Sequence, residues 1–516
     1  MKLLRPVVLC LPLLSGLSGV AFAAPGPAPA KDLLAGFDAQ VARAVRDWRA
    51  PGFAIAVIQD GKLIFSRGYG VREVGRPEIV DTRTLFAIGS TTKAMTAAAI
   101  GMLIDEKKVA WDDPVTKHLP WFELKEPYLT REITVRDLLT HRAGLPNADF
   151  LWYGQQNATR SILEKMRLVA PAYSTRSSFI YQNVMYAAAG AVVEAASGVP
   201  WSRFVEERIF KPLQMTDSTT SAATLTAGTN RASPHFIVDG AVTRIDNVSV
   251  EGVAAAGSIW SSVDDMSKWV RLLLAGGVVS HNGADKRLLS EASLAELFKP
   301  QTMVTPEAFY PTARITKPDW TTYGLGWSQQ NYAGLKVDYH TGSIDGMVAI
   351  CGLIRSRGIG VYILSNLDHA ELRHALMYAV FDRLLERPAR DWSWEFRTLY
   401  AQIQKDGQEA QKKEAQKRRP GTKPSLPLAE YAGRYSDPLF GDVEVALLPD
   451  GSALRARYGS AFSGRLEHWN FDTFNAVWDA HWRGEARLSF RLDQNGRVSE
   501  IDLMGLQFRK QHEPPT

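Results

Sequence analysis

Leu85-Phe-Ala-Ile-Gly-Ser90-Thr-Thr-Lys93-Ala-Met-Thr-Ala-Ala-Ala-Ile100 runs from a short apolar stretch into an alanine-rich one, with a serine and a lysine three apart at the join. Alanine-rich sequence favours helix, so the pattern predicts a helix that opens at Ser90. Residues three apart on a helix share a face, with Cβ atoms roughly 5–6 Å apart, which lets the Lys93 amine reach the Ser90 hydroxyl. A helix start also aims free N–H groups and a positive dipole end at negative charge forming on Ser90. A nucleophile, a neighbouring base and an anion site then lie within one turn. The tetrad S-x-x-K also arises by chance, and serine is a favoured helix cap, so the rest of the chain has to decide what this one does.

The chain has 516 residues, a length that suggests two to three domains. Its 45% hydrophobic and 22% charged residues are those of a globular protein. Met1-Lys-Leu-Leu-Arg5, an apolar run from Pro6 to Val20, and Ala21-Phe-Ala23 before Ala24 have the layout of a secretory signal peptide cleaved after Ala23. Loss of Lys2 and Arg5 with that leader lowers the net charge from +5 to +3, a small excess that implies no nucleic-acid partner. Cys10 leaves with the leader, so an exported chain with Cys351 as its single thiol has no internal disulfide and depends on a large core. No later stretch approaches the ~20 apolar residues of a membrane span. The protein is therefore expected to be periplasmic or secreted, without stable membrane insertion.

Residues 24–34 form a Pro/Ala-rich spacer. From Gly52, Phe-Ala-Ile-Ala-Val-Ile, the Asp60-Gly61 turn and Lys-Leu-Ile-Phe-Ser predict a β-hairpin. Val135–Leu139 and Val184–Ala196 read as helices, the second stopped by Ser197-Gly198, and Met347–Leu353 and Gly360–Ser365 read as strands. Strands at both ends with helices between predict an α/β domain: an antiparallel sheet flanked by helices, plus a mainly helical subdomain, over residues 35–388. Residues 389–427 read as a charged exposed helix and a linker. Short alternating runs with turn signals over 428–516, such as Val443–Leu448 and Arg487–Leu492 around Pro449-Asp-Gly451 and Gln494-Asn-Gly496, predict a small antiparallel barrel or sandwich.

Two further motifs follow the tetrad: Tyr181-Gln-Asn183 about 90 residues on, and His340-Thr-Gly342 about 160 beyond that. With Ser90-Thr-Thr-Lys93, this order resembles the serine β-lactamase and penicillin-binding-protein superfamily, in its class C β-lactamase, D-Ala-D-Ala carboxypeptidase and D-aminopeptidase branch. Trp111-Asp-Asp-Pro-Val115, Ile133–Leu145, Ile209–Met215, Ala256–Ser262, Tyr323–Trp327 and Gly342-Ser-Ile-Asp-Gly346 are similar to segments of that branch in the same order, so the resemblance spans roughly residues 35–388. The region from Leu428-Ala-Glu-Tyr-Ala-Gly-Arg-Tyr435 is similar to lipocalin-like modules appended to such hydrolases.

The resemblance implies covalent acyl transfer. Ser90 would attack a carbonyl, Lys93 and Tyr181 would share its proton, and Asn183 would hold Lys93 and the substrate amide. The N–H groups of Ser90 and Ser343 would form the oxyanion hole, and His340, Thr341 and Gly342 would border the substrate. Lysine and tyrosine ordinarily titrate near 10.4 and 10, so one of them must be shifted, and the sequence does not say which is the base. The chain departs from the family pattern at His340, where β-lactamases carry lysine. A histidine is mostly neutral near pH 7 and cannot stand in for a permanent cation. Histidine variants occur among the esterases and D-stereospecific peptidases of the same branch, so the resemblance implies a serine peptidase or amidase on peptides with D-residues or related amides, with a carboxylesterase, a β-lactamase or penicillin-binding protein, and a catalytically silent binding protein as alternatives. His141 is read as packing. No G-x-S-x-G, H-E-x-x-H or phosphate-binding loop occurs, so a small-molecule or short-peptide substrate and no metal or other cofactor are expected.

Overall fold

The computed structural model describes residues 32–511 apart from residue 282. The leader and its cleavage site lie outside the described residues. At the end of the predicted spacer, Leu33 and Leu34 pack against the core, so the folded unit begins earlier than the composition suggested.

The hairpin signal around Asp60-Gly61 forms β1 (Gly52–Gln59) and β2 (Lys62–Gly70). They join β3 (Thr302–Met303), β4 (Thr321–Tyr323), β5 (Ser328–Tyr332), β6 (Leu335–Ile344), β7 (Met347–Ile354) and β8 (Ile359–Ser365). The antiparallel sheet runs β2-β1-β8-β7-β6-β5-β4-β3, so the last strand of the domain pairs with the first. Both faces are covered, as the period of two along β1 shows: Ala54, Ala56 and Ile58 enter one core while Phe53, Ile55 and Val57 enter the other.

The first core holds α2 (Thr92–Asp105), α3 (Val184–Ser197) and α4 (Val263–Leu274), preceded in the chain by α1 (Phe37–Asp47). Helix α2 is buried on nearly every side, the environment that suits a helix with no polar face. Small residues let its neighbours approach: a Cβ on Gly190 of α3 would lie 2.6 Å from Ala255. The second core holds α1, α5 (Leu372–Leu384) and the start of α6 (Trp392–Gln416). Trp392 is buried, stacks on Tyr378 at 5.0 Å and donates to Asp382 at 2.7 Å, and Phe396, Leu399 and Tyr400 pack on the same core, so the charged helix is anchored over its first turns while its remainder is largely exposed.

The segment Ile133–Leu145 is tied down by Asp137. This carboxylate has no solvent exposure, forms a capping box with Thr134 and pairs with Arg142 (3.2 Å) and Arg176 (2.7 Å). The Arg176 hydrogen bond leads the interactions that hold it ionised against the opposing effect of burial. Asp137→Ala strands two guanidinium groups and a helix start, and is expected to cost about 3 kcal/mol, read as a fall in unfolding midpoint.

The C-terminal strands β9 (Gly433–Asp437), β10 (Gly441–Leu447), β11 (Leu454–Tyr458), β12 (Phe462–Asn470), β13 (Thr473–Trp478), β14 (Glu485–Leu492), β15 (Val498–Leu503) and β16 (Leu506–Lys510) close into a barrel. Eight strands leave an interior that side chains fill, here Tyr435, Leu454, Trp478 and Phe508 among others. No helix among the described residues is long and apolar enough to cross a membrane.

Candidate active site

Ser90 does not open the α-helix itself. It lies in a 3-10 turn, Gly89–Thr91, and α2 begins at Thr92. The reason is the close approach of β6. Gly89 has φ +52°, and a Cβ there would lie 2.7 Å from the Ser343 nitrogen; a Cβ on Gly342 would lie 1.8 Å from the Ile88 carbonyl oxygen. Only glycine at both positions lets the turn and the strand touch. Strand β5 pairs with β6 from Leu335 to Tyr339 only, so His340–Ile344 run past it with a free edge. The turn Asp345-Gly346 sets Ile344 opposite Met347, and alternation of the ladder then directs the Ser343 N–H away from β7, toward Ser90.

Lys93 has no solvent exposure. Its Nζ lies 3.0 Å from Ser90 Oγ, 2.7 Å from Asn183 Oδ1 and 2.9 Å from the Ala256 carbonyl. Burial lowers its pKa to about 7, and the negative charge of Asp149 acts in the opposite direction. Tyr181 moves the other way: burial raises its hydroxyl well above 10, and its hydrogen bond with Ser90 offsets little of that. Two of the three partners of Lys93 can only accept. A neutral amine has two N–H groups for Asn183 and Ala256, which leaves its lone pair toward Ser90 Oγ.

The buried amine carries a linkage signature. From pH about 7 to about 10 the folded chain sheds the Lys93 proton while the unfolded chain keeps it, so this site's contribution to stability rises with pH across that window. Below it both states are protonated and the burial penalty is complete. Relative to Lys93→Met, the wild type is expected to gain about 2 kcal/mol between pH 7 and pH 9, measured by denaturant titration.

His340 is buried and neutral. Its Nδ1 donates to the Thr341 carbonyl at 2.6 Å, so Nε2 accepts from the Tyr323 hydroxyl at 2.9 Å. Burial and the Lys93 charge push its pKa down to about 3. Thr341 Oγ1 meets the Tyr310 hydroxyl at 2.9 Å. His141 is buried as read from the sequence, but it also accepts the Gln182 N–H at 3.0 Å and its ring lies 4.2 Å from that of Tyr181, which fixes the second motif.

Three groups at the site lack a sequence signal. Asp149 accepts from Asn183 Nδ2 at 3.0 and 3.2 Å. Arg373 of α5 is buried and donates to the Gly342 carbonyl at 2.5 Å and to Ser343 Oγ at 2.9 Å, while Glu371 pairs with its other edge. From the barrel, Arg483 donates at 2.9 Å to the Tyr153 hydroxyl, which donates at 2.6 Å to Asp345. Ser90, Tyr181, Asn183, His340, Thr341 and Ser343 share one cavity of about 870 Å³ with Phe309, Tyr310, Trp152 and Tyr153, and its far wall is barrel residues Phe462, Trp482, Arg483 and Met504.

This sheet with its helical cover and buried S-x-x-K pair defines a serine hydrolase. Residues 37–384 match the family model described as Beta-lactamase, and the chain belongs to that family; residues 417–514 match a domain of unknown function, DUF3471. The chain is 30% identical over 493 residues to the unguisins hydrolase ungD of Aspergillus violaceofuscus, covering 88% of this chain and 85% of that protein. The octameric penicillin-binding protein homologue from Pyrococcus abyssi superposes with a TM-score of 0.61 at 22% identity, over 92% of this chain and 99% of that one. The D-amino acid amidase from Ochrobactrum anthropi SV3 superposes with a TM-score of 0.55 at 23% identity, over 69% and 98% of the two chains.

Proposed function

We propose that the chain is an exported serine peptidase or amidase that forms an acyl-enzyme on Ser90, with substrates among D-residue-containing or otherwise unusual peptides. Ser90 Oγ attacks the scissile carbonyl carbon as its proton passes to Lys93. The carbonyl oxygen takes up the charge between the N–H groups of Ser90 and Ser343, donors of a kind worth roughly 3–4 kcal/mol each. The proton then goes to the leaving nitrogen, through Lys93 or the Tyr181 hydroxyl, and the C–N bond breaks. Water, deprotonated by the same base, attacks the ester and frees the acid and Ser90.

The observation that carries this reading is the Lys93 environment: a buried amine with a pKa of about 7, two acceptors for its N–H groups and its third direction toward Ser90. General bases work best when their pKa lies near the working pH. The cavity supports the substrate class. Its volume of about 870 Å³ is at the upper end of common ligand sites, and its aromatic walls suit bulky apolar side chains. A neutral His340 supplies no cation for the carboxylate that a β-lactam presents. The related unguisins hydrolase agrees with hydrolysis as the chemistry.

The test is a panel of linear D-residue peptides, D-aminoacyl anilides, p-nitrophenyl esters and a chromogenic cephalosporin at pH 8. The expected result is the highest kcat/KM on a D-residue peptide or anilide. Highest kcat/KM on the cephalosporin, or on esters with no amide turnover, contradicts it. Export is tested by sequencing the N-terminus of the protein recovered outside the cytoplasm, which is expected to begin at Ala24.

A further inference from the structure

We propose that Asp149 is a positioning residue of this site: its carboxylate fixes the Asn183 amide in the orientation that faces Lys93 and supplies the formal negative charge beside the buried amine. The inference rests on the reading of Lys93 as the base.

An ionised carboxylate accepts hydrogen bonds and donates none. Asn183 therefore turns Nδ2 toward Asp149, at 3.0 and 3.2 Å, and its Oδ1 is left to meet Lys93 Nζ at 2.7 Å. Trp152 Nε1 and Asn147 Nδ2 hold the carboxylate in place at 2.8 and 3.1 Å. All its donors are neutral, and among the described residues no cation forms an ion pair with it. The turn that carries it, Asp149–Leu151, packs above the second motif, and Asn147 also donates to the Tyr181 carbonyl at 3.4 Å.

The other titratable groups around Lys93 carry no negative charge near neutral pH. Tyr181 and Tyr186 present ring faces 4.8 and 5.3 Å from Nζ, and burial raises both hydroxyls. Tyr323 is raised in the same way, and His141 and His340 are held neutral by burial and by Lys93 itself. The farther buried cation, Arg373, is paired with Glu371. Among the described residues, Asp149 is the anion whose field raises the Lys93 pKa against the effect of burial.

The experiment is the pH dependence of kcat/KM, and separately of the rate of fluorophosphonate labelling, for wild type, Asp149→Asn and Asp149→Glu. Labelling needs no peptide binding, so it reads the Ser90–Lys93 pair alone. In the wild type both profiles are expected to rise through a midpoint near pH 7. In Asp149→Asn the midpoint is expected to move to lower pH by about half a unit or more. Its plateau is expected to fall about tenfold, because an amide partner lets Asn183 turn. In Asp149→Glu, which keeps the charge, the midpoint stays near that of wild type. A midpoint unmoved in Asp149→Asn overturns the proposal, and a raised KM with unchanged labelling makes Asp149 a substrate contact instead. If Asp149→Asn does not fold, Asp149→Ser is measured against the same outcomes. A wild-type profile with no rising limb near pH 7 contradicts the assignment of Lys93 as base, a failure distinct from a limb that exists and ignores Asp149.

Discussion

Ser90→Ala and Lys93→Met are each expected to lower peptide or amide turnover by on the order of 10⁴-fold or more while the chain stays folded. The two should be nearly equal, and the double variant no worse than either, because the proposed nucleophile and base act as a unit. Ser90→Ala removes the hydroxyl oxygen placed 3.0 Å from Lys93 Nζ. Lys93→Met keeps the volume of the buried side chain and deletes the proposed proton acceptor. Tyr181→Phe is expected to lose less. A hydroxyl raised well above its ordinary value by burial is a poor base and a serviceable proton donor, so its loss slows leaving-group departure more for amides than for p-nitrophenyl esters. The measurement is steady-state kinetics beside a melting curve. Turnover within tenfold of wild type in either Ser90→Ala or Lys93→Met would remove that residue from the mechanism.

Gly154→Val is expected to raise KM for extended peptides by about tenfold or more and to leave fluorophosphonate labelling of Ser90 unchanged. Gly154 has φ +70°, and a Cβ there would lie 2.3 Å from the Ala461 methyl group of the barrel. Its carbonyl accepts from the backbone N–H and the Oγ of Ser460 at 2.7 and 3.0 Å. A branched side chain therefore pushes the barrel off its seat and opens the Tyr153, Asp345 and Arg483 cluster. The barrel wall goes with it: Phe462, Trp482 and Arg483 no longer close the cavity. Losing an apolar wall that contacts one or two side chains costs about 1.4–3 kcal/mol of binding, or ten- to about 150-fold. Small p-nitrophenyl esters, which do not reach that wall, should be hydrolysed as before. Equal loss for both substrate sizes would mean that the barrel supports the catalytic groups themselves.

The two halves of the molecule were legible for different reasons. The hairpin at Asp60-Gly61 and the alternating C-terminal runs are local patterns, and they became β1–β2 and a closed barrel. Helix α3 stops at Gly198, in the left-handed conformation that the Ser197-Gly198 signal implied. The start of α2 is less legible. Gly89 yields to contact with Gly342, some 250 residues away, and the chain makes a 3-10 turn where local propensity called for an α-helix cap. At the site, two of the three motif strings sit at the starts of α2 and α3, and the third lies within β6 just past the point where β5 stops pairing with it. Asp149, Arg373 and Arg483 carry no such mark. Each reaches the site by a contact between distant parts of the chain, as when Arg483 meets Tyr153 across 330 positions, and a single sequence does not record which loop docks on which. His141 illustrates the limit differently: reading it as packing was right about burial and silent about its grip on Gln182.

The most direct test of the account is intact-mass and peptide mapping of the protein after brief incubation with a D-residue peptide ester and, in parallel, with a fluorophosphonate, followed by acid quench. The prediction is one acyl or phosphonyl group per chain, on Ser90, absent from Ser90→Ala and formed far more slowly in Lys93→Met. A covalent group on any other residue, or full turnover with no adduct on Ser90 under either reagent, would contradict it.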